Sequence, residues 1–200
     1  VETDIYGNIY IADYNNHRIR KIDSSGVITT IAGSGSTGIG NGAFSGDGGQ
    51  ATSARLNSPF NVYASRDGLL FISDTNNQRI RKIDLSGVIT TIAGSSTIAS
   101  FSGDGGQATA AKLNFPNSVD FDGMGNMYIA DTGNHRIRKV NLSGVITTIA
   151  GSSSTGSFGG DGGNAASANL NQPSSLTFDL LGNFYISDFA NERVRKIYKD

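Results

Sequence analysis

Cysteine is absent from all 200 residues. That excludes a disulfide framework, a zinc–cysteine centre and a thiol nucleophile. Net charge is close to nil, at −1, with only 16% charged residues. This balance argues against bulk nucleic acid or an anionic membrane as partner. No apolar run approaches the roughly 20 residues that a membrane-spanning helix needs. No secretory leader opens the sequence. Val1-Glu2-Thr3-Asp4 reads as the inside of a domain, so the native protein is expected to continue beyond this segment. Proline is scarce, at 3, and histidine scarcer, at 2. Glycine is not: 27 copies are about twice the usual share of roughly 7%, which demands frequent turns.

What is present is repetition. IADYNNHRIRKI begins at Ile11, ISDTNNQRIRKI at Ile72, IADTGNHRIRKV at Ile129 and ISDFANERVRKI at Ile186, with spacings of 61, 57 and 57 residues. GVITTIAG recurs at Gly26, Gly87 and Gly144. GDGGQAT stands at Gly46 and Gly103, with GDGGNAA at Gly160. Such a period signals a repeat architecture.

Each unit offers four short strands rich in Ile, Val, Tyr, Phe and Thr. In the third they are expected at Ser118–Phe121, Met127–Ala130, Arg136–Val140 and Val145–Ala150. Hairpin-length turns separate them, so each unit is a four-stranded antiparallel meander. Runs such as Asn8–Ala12 and Ile28–Ala32 are apolar almost throughout, which requires cover on both sheet faces. Meanders packed face to face around an axis meet that need. The expected fold is therefore all-β, a β-propeller. Its blades fall at about 1–34, 60–95, 117–152 and 174–200, and the last lacks a fourth strand, giving 15 strands in all. Asp47 with Gln50 reads as a capping box, which predicts a helix from Gly48 to about Leu56. Asp104 with Gln107, and Asp161 with Asn164, repeat the device.

Leu113-Asn114-Phe115-Pro116 through Val140, with Asn134-His135-Arg136-Ile137 and Asn16-His17-Arg18-Ile19 at its centre, resembles the NHL repeat. Gln78 and Glu192 depart from the histidine. The resemblance implies a propeller that binds proteins, RNA or other ligands. A minority of related propellers are metal-dependent lyases or hydrolases.

Arg-x-Arg-Lys recurs in every unit and takes 12 of the 16 basic residues. Its regular mid-strand placement points to a ring between blades rather than a nucleic-acid patch. Asp13, Asp74, Asp131 and Asp188, each five positions before Arg18, Arg79, Arg136 and Arg193, are expected to pair across the turn as structural residues. Asp47, Asp104 and Asp161 are expected to be structural too. The GDGG loops lack a P-loop lysine and the several carboxylates that calcium wants. Phe44, Phe101 and Phe158 precede them at constant offset and are expected to pin the loops. No metal site, cofactor or catalytic residue is expected. His17 and His135 lie in non-adjacent units, whereas a catalytic zinc usually takes three converging ligands. Asn141-Leu142-Ser143 is a glycosylation sequon that also reads as a turn.

Positions that vary from unit to unit are free to meet a ligand. In the turns these are Tyr14, Thr75, Thr132 and Phe189, then His17, Gln78, His135 and Glu192. The expected function is a non-catalytic binding scaffold for a protein or glycan ligand, in an extracellular or cell-surface setting. The alternatives are a structural array that self-associates or continues through the open blade edge, and a metal-dependent lyase or hydrolase.

Overall fold

In a computed structural model, which describes residues 1–198, the chain is all-β and its strands form four separate antiparallel sheets. They fall into two compact units, with the division between Thr97 and Ile98. In the first unit, one blade contains β1 (Glu2–Thr3), β2 (Ile9–Asp13), β3 (Arg18–Ile22) and β4 (Ile28–Ala32). The other contains β5 (Asn61–Ala64), β6 (Leu70–Asp74), β7 (Arg79–Ile83) and β8 (Ile89–Ala93). In the second unit, β9 (Pro116–Phe121), β10 (Met127–Asp131), β11 (Arg136–Val140) and β12 (Ile146–Ala150) form the third blade. The fourth has β13 (Pro173–Phe178), β14 (Phe184–Asp188) and β15 (Arg193–Ile197). Every sheet is a meander in chain order, as the repeats predict.

The core follows from strands that are apolar on both faces. In the first unit Ile19, Leu56, Val62, Ile72 and Ile89 are almost completely buried in one cluster. In the second, Ile137, Leu170, Leu176, Phe184 and Ile186 form the counterpart. There Phe178 stacks on Phe184 at 4.6 Å and meets the Tyr128 ring edge-on at 4.8 Å. Such aromatic pairs add about 0.5–1.5 kcal/mol beyond their area.

The expected helix after Asp47 does not form. Only Ala51–Ser53 make a single 3-10 turn, and Ala108–Ala110 and Ala165–Ser167 repeat it. Two glycines at the start of a helix are costly, and the loop's amides find a better partner. Gly48 N and Ala51 N donate to Ile89 O and Gly87 O, and Ile89 N donates to Gly49 O, at 2.8–2.9 Å. Gly105, Ala108 and Gly106 bond Ile146 and Gly144 in the same way. The first two GDGG loops therefore add themselves to the free edges of β8 and β12 and shield them from unwanted pairing. Gly46 and Gly103 take positive φ, 88° and 96°, where any Cβ would run into the backbone of Ala54 or Ala111.

Candidate functional site: the turn face

The Asp-x-x-Asn segments between second and third strands each fold into a 3-10 turn that ends on a left-handed residue: His17, Gln78, His135 or Glu192, with φ of 55–58°. The turn is anchored from below. Buried Asp74 accepts from Asn57 N at 2.8 Å, Asn77 Nδ2 at 2.9 Å and Arg81 at 3.5 Å. Asp131 does the same with Asn114 N, Asn134 Nδ2 and Arg138, at 2.7, 2.8 and 3.1 Å. Asp188 repeats the pattern with Asn171 N, Asn191 and Arg195. Burial raises the carboxyls of Asp74 and Asp131 to about 6, against the lowering effect of these hydrogen bonds and of the arginine charge. The inter-blade loops are tied to the same turns. Asn77 Nδ2 donates to Ala43 O, Asn134 Nδ2 to Ser100 O and Asn191 Nδ2 to Ser157 O.

The aspartates' arginine differs from the one expected. Asp74 and Arg79 are cross-strand neighbours, yet the carboxylate pairs with Arg81, two residues on. Asp13, Asp131 and Asp188 likewise choose Arg20, Arg138 and Arg195 over Arg18, Arg136 and Arg193. The physical reason is competition. Arg79 donates to Asn77 O and lies over the Phe44 ring at 3.9 Å, which holds it away from Asp74. Arg81 is left to bridge Asp74 and the loop's Asp47, the latter at 2.6 Å. In the second unit Arg138 bridges Asp131 and Asp104, and Arg195 bridges Asp188 and Asp161. Asp47, Asp104 and Asp161 are thus ion-pair partners rather than helix caps. Phe44, Phe101 and Phe158 each face both arginines of their blade. The Arg81 and Arg138 side chains are wholly buried, so the repeated basic motif offers no continuous cationic surface.

A second repeated network escaped the sequence reading. Asp4 accepts from Tyr6 N, Asn8 N, Asn8 Nδ2 and Tyr10 OH. Asp122 and Asp179 do so with Asn126 and Tyr128, and with Asn183 and Tyr185. The signal is Asp-x-x-Gly-Asn-x-Tyr, present three times. Burial first, then the Asp4 carboxylate, pushes the Tyr10 phenol up to about 12.

The variable turn residues separate into two sets. His17 is buried: its Nδ1 accepts from Ser58 N at 2.9 Å and its Nε2 lies 2.8 Å from Gly38 O. Because Nδ1 accepts, the proton sits on Nε2 and the neutral ring bonds on both sides, joining its blade to the next. His135 accepts from Gln172 N at 3.1 Å in the same manner. Thr75, Gln78 and Thr132 are also buried, and Thr132 Oγ1 donates to Pro173 O at 2.6 Å. Tyr14, Phe189 and Glu192 are exposed. Tyr14 meets half-exposed Phe60 edge-on at 6.1 Å, beside exposed Asn15 and Asn16. Among the described residues, no three His, Asp or Glu side chains converge as a metal site.

Burial and the neighbouring Arg136 lower the His135 pKa, against a smaller raising effect of Asp188. A depressed folded-state value means that its stabilising contribution is complete above the unfolded value of about 6.5 and fades as pH falls below it. His135→Gln, which installs the residue of the second blade, is expected to flatten that acid loss. Urea unfolding of both proteins between about pH 7.5 and pH 5 measures it. Parallel pH profiles would show that the ring plays no such part.

Four-stranded meanders, turns on an Asp–Arg frame and Asn-His-Arg-Ile signatures define an NHL-repeat β-propeller protein. The family described as Teneurin NHL domain matches residues 40–102 and 99–158, together more than half of the chain. The chain belongs to that family. Mouse Teneurin-4 is 25% identical over 97% of the chain, which spans 10% of that protein's length. Among solved structures, a Bacteroides thetaiotaomicron protein of unknown function is 25% identical with a TM-score of 0.76, covering 98% of this chain and 46% of that one. An auxiliary nutrient binding protein from Bacteroides ovatus is 24% identical, with a TM-score of 0.71 over 98% and 47%. The virginiamycin B lyase of Staphylococcus aureus shares the fold at 12% identity, with a TM-score of 0.54 over 97% and 53%.

Proposed function

We propose that this chain is a non-catalytic binding module that holds a protein or glycan ligand against its turn face, in an extracellular or cell-surface setting. The observation that carries the reading is the Tyr14–Phe60 pair. Tyr14 stands on a turn that the buried Ser58 N–His17 Nδ1 bond holds to the next blade, its ring meets that of Phe60 just before β5, and both rings expose apolar area. Aromatics in rigid positions dominate interface energetics, and the flanking Asn15 and Asn16 amides suit hydroxyl or peptide groups. Phe189, 64% exposed on the equivalent turn, offers a second anchor in the other unit. The remaining variable residues, Thr75, Gln78, Thr132 and the two histidines, act in this reading as supports for the turns that carry the aromatics.

An array of immobilised glycans and cell-surface ectodomains, probed with the whole chain, tests the reading. A restricted set of ligands is expected to be retained. Tyr14→Ala should weaken retention by about tenfold or more, the scale of a hot-spot residue. Retention of none, or retention indifferent to Tyr14, would remove the turn face from consideration.

A further inference from the structure

We propose that a groove between the first and second blades, where β6 begins and β7 ends, is a binding site for a small aromatic carboxylate. The groove holds about 320 Å³. Tyr10, Lys21 and Ile31 line it from the first blade, Leu70 and Ile83 from the second, and Gln50 from the loop between them. Its size falls within the roughly 300–1,000 Å³ of small-molecule sites, which combine apolar walls with a few placed polar groups. Tyr10, Leu70 and Ile83 are almost wholly buried members of the first unit's core, and Ile31 packs against them. Neither Tyr14 nor Phe60 lines the groove, so it is separate from the turn face.

The second unit shows what shape fills this place. The strand registers match: Ala64 lies opposite Leu70 and Leu70 opposite Ile83, as Phe178 lies opposite Phe184 and Phe184 opposite Ile197. In the second unit the two phenylalanine rings stack at 4.6 Å, and Tyr128, the counterpart of Tyr10, meets them at 4.8 and 5.2 Å. In the first unit Ala64 and Leu70 replace both rings. The strand pairing holds the backbone in the same register, so the lost side-chain volume stays open rather than collapsing. The second blade's own aromatics cannot fill it. Tyr63 and Phe71 are each one residue away from Ala64 and Leu70, and strand alternation turns them to the other face of the sheet.

The polar wall selects the substituent. Lys21 is the cross-strand neighbour of Tyr10, and its ammonium lies 6.0 Å from the centre of that ring. Among the described residues it forms no ion pair. Asp23, two residues on, gives its Oδ1 to Ser25 N and Val27 N. Asp4, which accepts from the Tyr10 hydroxyl at 3.0 Å, is already met by two backbone N–H groups and the Asn8 amide. Lys21 is therefore left to offer its charge to a ligand oxygen, and a charge-assisted hydrogen bond is about twice as strong as a neutral one. A ring between Tyr10 and Leu70 takes the place that phenylalanine fills in the second unit, with the aromatic contact that Tyr10 otherwise lacks there. Its carboxylate then reaches Lys21.

The test titrates the 200-residue chain with 3-phenylpropionate, read by calorimetry and by the amide shifts of the labelled protein. Saturable binding at one ligand per chain is expected, with shifts centred on Tyr10, Lys21, Leu70 and Ile83. The neutral 3-phenylpropanamide should bind at least about tenfold more weakly, and Lys21→Gln should bring the carboxylate down to the level of the amide. Leu70→Phe installs the residue of the second unit, so the protein should unfold at an unchanged or higher midpoint while affinity falls by at least about tenfold. Ala64→Phe fills the groove from the neighbouring strand and should act alike. No saturable binding by the wild type would overturn the proposal. So would affinity that survives both groove-filling substitutions, because the ligand would then sit elsewhere. Equal affinity for carboxylate and amide, or for 3-phenylpropionate and 3-cyclohexylpropionate, would reduce the groove to an unselective apolar contact and also overturn it.

Discussion

Arg138→Ala is expected to destabilise the chain by about 3–5 kcal/mol, because it strands a buried carboxylate. The Arg138 guanidinium is fully buried between Asp131 at 3.1 Å and Asp104 at 2.7 Å, and it also donates to Ser102 O at 3.2 Å. Its removal frees the loop from the blade and leaves Asp131 without a counter-charge. The first blade supplies the control. Arg20 occupies the same register, but its side chain is 30% exposed and its one ion pair among the described residues, with Asp13, is 3.7 Å long. Arg20→Ala is expected to cost no more than about 1 kcal/mol, as exposed pairs do.

The effect of Arg138→Ala should also depend on pH. Burial holds the Asp131 pKa near 6, above its ordinary 3.8. A raised folded-state value means that the contribution of this group is fully present below the unfolded pKa and is lost as pH rises through the folded one. Without Arg138 the carboxylate loses its stabilising charge, and its pKa should rise further. The Arg138→Ala deficit should therefore shrink as pH is lowered from about 8 towards 5. Urea unfolding at both pH values measures it. A deficit independent of pH would mean that the loss comes from packing against Phe101 rather than from the stranded charge.

Ile137→Ala carries the next largest expected effect, about 2–5 kcal/mol. Ile137 is fully buried, packed among Ala150, Leu170 and Ile186, with β12 closing over it. Val194 stands at the same point of the fourth blade and is 74% exposed, so Val194→Ala should change stability by no more than about 0.5 kcal/mol. A large loss at Val194 would show that its side chain is packed in solution.

The strands were legible because the pattern recurs with near-constant spacing, and each copy has turn residues at both ends. Two features were not. Asp47-Gly48-Gly49-Gln50 has the residues of a helix cap, but it gives its backbone to β8 and its carboxylate to Arg81. Only the tertiary partner, 34 residues away in sequence, reveals this. The variable turn positions were also legible as a group, but not their division. Tyr14 and Thr132 occupy identical turns, yet one ring reaches solvent while the other hydroxyl is drawn inward to Pro173 O. Side-chain size decides that, since only the small residue fits beneath the next blade's first strand. His17 shows the converse limit. A scarce histidine in a turn reads as a ligand contact, whereas its two ring nitrogens are both engaged within the first unit.

The proposed division of labour gives binding to the exposed aromatics of the turn face and the fold to the repeated polar residues. The most direct measurement is a paired one on Tyr14→Ala/Phe60→Ala: ligand retention on the glycan and ectodomain array beside the urea midpoint of the same preparation. Retention is expected to fall by about tenfold or more with little change in midpoint. Unchanged retention with a lowered midpoint would contradict it, because the rings would then belong to the scaffold and the ligand would have to bind elsewhere.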